Sequence, residues 1–115
     1  MPKEVDAITR LYDFILWLVP KIEKFPRSQR FILGDRMEVL ALEILERLIE
    51  AAYTRQKGTL LRTANLKLEK LRYLIRLAKD LKAINIKGYG TAAEHIDGVG
   101  RSIGGWLRYT SREKP

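Results

Sequence analysis

The chain has 115 residues, 46% of them hydrophobic, with a formal net charge of +8, and that length fits one domain, 1–115, with a modest core of its own. The absence of cysteine excludes disulfides and thiolate metal sites. The longest apolar run, residues 14–19, is far short of the ~20 needed to span a bilayer, and Met1-Pro2-Lys3-Glu4 leads into a mixed-charge helix rather than a secretory leader, so a cytoplasmic protein with no membrane partner is expected.

Four helices are predicted, and no strand-like alternation competes with them. The first covers about 5–24, with Ile8, Leu11, Tyr12, Ile15, Leu18, Val19 and Ile22 spaced by three and four. Pro20 removes one amide donor and predicts a kink near Leu16 and Trp17. Phe25-Pro26 ends the segment, because a residue before proline disfavours the α region.

The second helix covers about 27–53, with Ser28 as its N-cap. Phe31, Ile32, Asp35, Val39, Leu42, Leu45, Ile49 and Ala52 keep helical spacing, and Glu43 precedes Arg47 by the interval of a surface ion pair. Gly58 is expected to close this helix in a left-handed cap. The third helix covers about 59–84. Leu61, Ala64, Leu68, Leu71, Ile75 and Ala78 form a bundle seam, and Leu66, Tyr73, Leu77, Leu81 and Ile84 form a second apolar strip on another side. One core needs one face, so the second strip predicts self-association.

Lys87-Gly88-Tyr89-Gly90 reads as a turn, with Thr91 capping a fourth helix over about 91–110 and Glu94 completing a capping box. Ile96, Val99, Ile103, Trp106 and Thr110 form its apolar stripe, and Arg112-Glu113-Lys114-Pro115 reads as a frayed tail. Short loops favour antiparallel neighbours, so the expected fold is all-α, an up-down-up-down four-helix bundle.

Charge is unevenly spread. Residues 1–55 hold nine Lys/Arg and nine Asp/Glu, whereas residues 56–115 hold thirteen and five and so carry all +8. On the third helix Arg62, Asn65, Glu69, Arg72, Arg76 and Lys79 share an arc of roughly 100°. Arg72 and Arg76 lie one turn apart, where a bridging phosphate would relieve their repulsion. A polyanionic partner is one reading of this arc, and a solvated face with Glu69 in an internal ion pair is the other.

Gly98, Gly100, Gly104 and Gly105 crowd the fourth helix. Neither a dinucleotide fingerprint nor a Walker loop is present. Gly100 and Gly104, one turn apart, fit close approach of a neighbouring helix. The alternative is the phosphate-binding turn of a helix-hairpin-helix motif at Ile96-Asp97-Gly98-Val99-Gly100. No catalytic constellation is visible: His95 is the single histidine, no Glu-x-x-His pair occurs, and neither a metal nor another cofactor is called for.

Two stretches carry a likeness to a known family. One is Lys24-Phe25-Pro26-Arg27 through Phe31-Ile32-Leu33-Gly34-Asp35-Arg36; the other is Leu71-Arg72-Tyr73-Leu74-Ile75-Arg76, followed later by Val99-Gly100-Arg101-Ser102-Ile103-Gly104-Gly105-Trp106-Leu107. On these the chain resembles the accessory variability determinant proteins of diversity-generating retroelements, within a wider four-helix-bundle family that includes proteins encoded in intervening sequences of ribosomal RNA genes. The resemblance implies a barrel-like homopentamer. It also implies partnership with a reverse transcriptase and its template RNA in making mutagenic cDNA, with no catalytic residue in the accessory protein. It carries a nucleic-acid-facing character onto Arg72 and Arg76, and onto Arg101. Gly98 departs from the family's pattern. A ribosomal-RNA-associated protein and a protein-interaction module with no nucleic-acid role are the alternatives.

Overall fold

A computed structural model describes residues 3–113, and the side chains of residues 6–111. The first helix, α1 (Lys3–Glu23), continues without a break through Pro20. Its buried face is Ala7, Leu11, Phe14, Leu18 and Ile22. Tyr12, expected on that face, is exposed, and Phe14 takes the central position instead. After α1 the chain turns at Phe25, which is itself buried.

The second rod is not one regular helix. A short α2 (Arg27–Gln29) leads into a π turn at Arg30–Gly34 and then α3 (Asp35–Ala52). Pro26 occupies the N-cap position, with its carbonyl accepting from the amides of Gln29 and Arg30. Ser28 therefore lies within the first turn and caps nothing, contrary to expectation. Gly34 is buried where the rod passes α1: a methyl there would come within 2.7 Å of Ile22 Cγ2.

The apolar stripe expected on this rod is the outer one. Met37, Leu40, Ala41, Ile44, Leu48 and Ala51 fill the core, while Phe31, Ile32, Val39, Leu42 and Ile49 are exposed. The rod carries two apolar faces, and the π turn inserts an extra residue that rotates α3 relative to what precedes it. The expected Glu43–Arg47 pair also gives way: Arg47 donates to Glu50 at 2.7 Å, and Glu43 accepts from Lys67 on the next helix at 3.2 Å.

The reversal after α3 is closed by a lysine rather than a glycine. Lys57 Nζ donates to the carbonyls of Ala51 at 2.7 Å and Thr54 at 2.8 Å. Gly58 already lies inside α4 (Lys57–Asp80), and among the described residues no glycine has positive φ. The predicted seam of α4 is wholly buried: Leu61, Ala64, Leu68, Leu71, Ile75 and Ala78. Each large member contributes about 1.5–3 kcal/mol by leaving water. Of the second strip, Leu66, Tyr73, Leu77 and Leu81 are exposed, but Ile84 turns into the core.

α4 ends at Asp80, short of the expected Ile84. Lys82 adopts a left-handed conformation with φ 64°. Its amide donates to the Lys79 carbonyl, and that of Ala83 to the Ala78 carbonyl. This pair of bonds is a Schellman termination. The last helix, α5 (Ile86–Glu113), then begins ahead of Thr91. Asn85 is its cap, with Oδ1 accepting from the Gly88 amide at 2.7 Å, and the Thr91 hydroxyl donates to the Lys87 carbonyl within the helix. Asn85 satisfies one of the free amides of the first turn, that of Gly88, and Gly88 and Gly90 lie within the helix rather than forming a turn. Arg112 and Glu113 lie in α5, and the remainder of the expected tail, 114–115, is outside the described residues.

Neighbouring rods are antiparallel. On α4 and α5, Arg72 meets Asp97 and Lys79 meets Tyr89, so numbers rise along one helix as they fall along the other. Asp6 with Ser102 and Phe14 with His95 show the same for α1 and α5. The extents of 51 × 22 × 19 Å give a cross-section of two helix diameters each way.

Candidate nucleic-acid interface

The basic arc lies on the flank of α4 next to the buried seam, on the side of α5, where Arg72 and Lys79 reach Asp97 and Tyr89. That seam fixes the rotation of the helix and directs Arg62 and Arg76 to solvent, both exposed. Among the described residues neither has an ion-pair partner. Arg62 folds back one turn over Gly58, where a methyl would meet its Nη1 at 3.1 Å.

Arg72 behaves differently from Arg76. Its Nη1 donates to Asp97 Oδ1 on α5 at 2.8 Å, and its Nε donates to Glu69 Oε1 at 3.3 Å. Partial burial acts to lower its pKa, but hydrogen bonding to Asp97 and the charges of Glu69 and Asp97 outweigh it, leaving the pKa above the ordinary arginine value. Two carboxylates offset its charge, so Arg72 and Arg76 do not form the side-by-side cationic pair that their spacing predicts. The internal pairing expected for Glu69 is present.

Lys79 reaches the start of α5. Its Nζ lies 4.6 Å from the centroid of the Tyr89 ring and 3.5 Å from Asp80 Oδ1. Arg101 is exposed on α5, with no ion-pair partner among the described residues. Sequence reasoning missed Asp97 as a partner of Arg72, because the two lie on different helices and no local spacing links them. Tyr89 is likewise not legible as a partner of Lys79, because the Lys87-Gly88-Tyr89-Gly90 run reads locally as a turn while the structure places it in α5.

α5 runs unbroken through 96–100, which removes the helix-hairpin-helix alternative: those amides lie within a helix, not at an open turn. The close-approach reading of the glycines is also corrected. A methyl at Gly100 would meet Leu68 at 3.6 Å and one at Gly104 only Arg108 at 3.5 Å, both ordinary contacts. His95 packs its ring against Phe14 at 5.4 Å and Trp17 at 5.8 Å between centroids. Among the described residues no group of three or more His, Asp or Glu is placed to hold a metal, and no helix is long and apolar enough to cross a membrane.

On the other side of α4, a groove against α3 is lined by Ile32, Val39, Tyr73, Leu77 and Leu81, with Arg36 and Lys70 among its polar residues. The two outer apolar stripes, one from each rod, thus meet on one surface.

Residues 7–110 match a family model described as bAvd-like, covering most of the chain. No curated protein matches it.

Proposed function

The chain belongs to the bAvd-like family, and from that premise we propose that it is a non-catalytic accessory protein of a retroelement reverse transcriptase. In this reading residues 1–115 form one domain that assembles as a homo-oligomer, a pentamer by family resemblance. It binds template RNA or cDNA through the exposed cations of α4, and the complex serves mutagenic cDNA synthesis.

The observation that carries the nucleic-acid reading is the pair of exposed arginines on α4, Arg62 and Arg76, without ion-pair partners among the described residues. Such cations are available to phosphate oxygens. Lys79 extends the same arc, Arg101 adds charge from α5, and Arg72 contributes less while Asp97 and Glu69 hold it. The apolar groove between α3 and α4 supports self-association, since an exposed apolar surface of this kind marks an interaction site.

The test is binding to a structured RNA across a salt series, with oligomer mass measured in parallel. Wild type is expected to lose affinity at ~0.7–0.9 log units per log unit of salt for each phosphate neutralised. Arg62→Glu/Arg76→Glu is expected to stay assembled and lose most of that slope. A wild type that ignores RNA even at low salt would sink the nucleic-acid reading, and a monomer would sink the oligomer.

A further inference from the structure

The reversal between α4 and α5 forms an open hollow of about 950 Å³ at one end of the bundle. Lys79, Lys82 and Lys87 stand around it, with Asp80 as the one acidic residue. Ile84, Ile86 and Tyr89 supply its apolar surface. Ile86 is 80% exposed, an apolar side chain left in water at a helix start. Lys82 stands at φ 64°, where glycine is the least costly residue, so the chain places a cation at the rim against the local backbone preference. Among the described residues Lys82 and Lys87 have no carboxylate partner. Lys79 rests on the Tyr89 ring, and moving it off would open an aromatic face beside three ammonium groups.

We propose that this hollow holds one unpaired nucleotide of a single-stranded nucleic acid, its base stacked on Tyr89 and covering Ile86, its phosphates held by Lys79, Lys82 and Lys87. The inference rests on the nucleic-acid reading above and names where, and in what form, the strand is held. An apolar floor beside cations matches a base joined to a phosphate better than a bare anion. Stacking on a side chain requires a base released from its duplex neighbours, which selects single strands. Lys79 is also the last cation of the arc that begins at Arg62, so a strand following α4 arrives at the hollow. This continuity favours a polymer over a free nucleotide.

The experiment compares a single strand of about ten nucleotides with the duplex of the same sequence, and uses AMP as competitor. Wild type, Tyr89→Leu, Lys82→Gly and Lys87→Ser are measured at several salt concentrations. Tyr89→Leu keeps apolar volume but removes the ring, and is expected to weaken single-strand binding about 5- to 150-fold. Duplex binding should stay within about twofold. Lys82→Gly and Lys87→Ser are each expected to lower the salt slope by roughly 0.7. Lys82→Gly should do so while raising the melting temperature, which separates a lost contact from a damaged fold. If Tyr89→Leu and Lys87→Ser bind the single strand as wild type does, the hollow is not the site, although the broader nucleic-acid reading survives. If AMP binds as tightly as the strand, the hollow takes free nucleotides and the proposal is overturned. If wild type binds neither strand nor duplex, both readings fall together.

Discussion

The Arg72 guanidinium spans from α4 to α5 and donates to the Asp97 carboxylate at 2.8 Å. With Glu69 on the same group, a cation that sequence spacing assigns to a phosphate is already occupied by the protein's own acids. Exposed ion pairs of this kind contribute little stability, ~0–1 kcal/mol, so the pairing is readily exchanged.

Releasing Arg72 should therefore change binding more than folding. Asp97→Asn with Glu69→Gln is expected to lower stability by less than about 1 kcal/mol. It should raise RNA affinity and steepen the salt dependence by roughly 0.7–0.9. Chemical denaturation and a salt titration check the two halves. Unchanged affinity would mean that Arg72 does not face nucleic acid.

Trp106 is 1% exposed and is among the largest side chains in the core. Trp106→Ala should cost about 3–5 kcal/mol in urea unfolding, the range for large aromatic truncations. A loss under about 1 kcal/mol would place the α5 stripe outside the core.

The glycines divide by what surrounds them. At Gly34 a methyl meets Ile22 Cγ2 at 2.7 Å, between a buried rod and a buried β-branched side chain. Gly34→Ala should destabilise by about 1–3 kcal/mol through overpacking. At Gly90, inside α5, a methyl meets nothing within 4 Å. Gly90→Ala should stabilise by about 0.5–1 kcal/mol, because alanine loses less backbone freedom on entering a helix. Opposite signs in thermal melts would support the placement of both residues.

Glu38 has a raised pKa, through desolvation first and then the nearby charges of Asp35 and Glu23. The folded state therefore binds this proton more tightly than the unfolded chain does. Protonation of Glu38 stabilises the fold, and that contribution is lost as pH rises through the raised pKa. Glu38→Gln is expected to melt higher than wild type at neutral pH. The advantage should shrink as pH falls toward the ordinary glutamate value of about 4.3. A constant difference across that range would mean the charge is not the cause.

Much of this protein is legible from local pattern. The seam of α4 and the Ile96, Val99, Ile103, Trp106 and Thr110 stripe of α5 are buried as their spacing predicts. The family follows from the Phe-Pro turn and the glycine-arginine-tryptophan block, and the match over residues 7–110 bears it out. The basic arc is visible because its members share one helix.

Helical periodicity and residue type are properties of the chain itself, so the sequence determined four amphipathic helices and the side of α4 that packs inward. On the second rod two apolar faces were available, and only packing against α1 and α4 decided that Met37 and Ile44 point inward while Val39 and Leu42 face out. Only the Asn85 cap and the left-handed Lys82 decided where α5 begins. Whether an arginine is free for a ligand was likewise decided between helices, because a charge is offset by whichever carboxylate lies near it in space: Asp97 reaches Arg72, and among the described residues none pairs with Arg76.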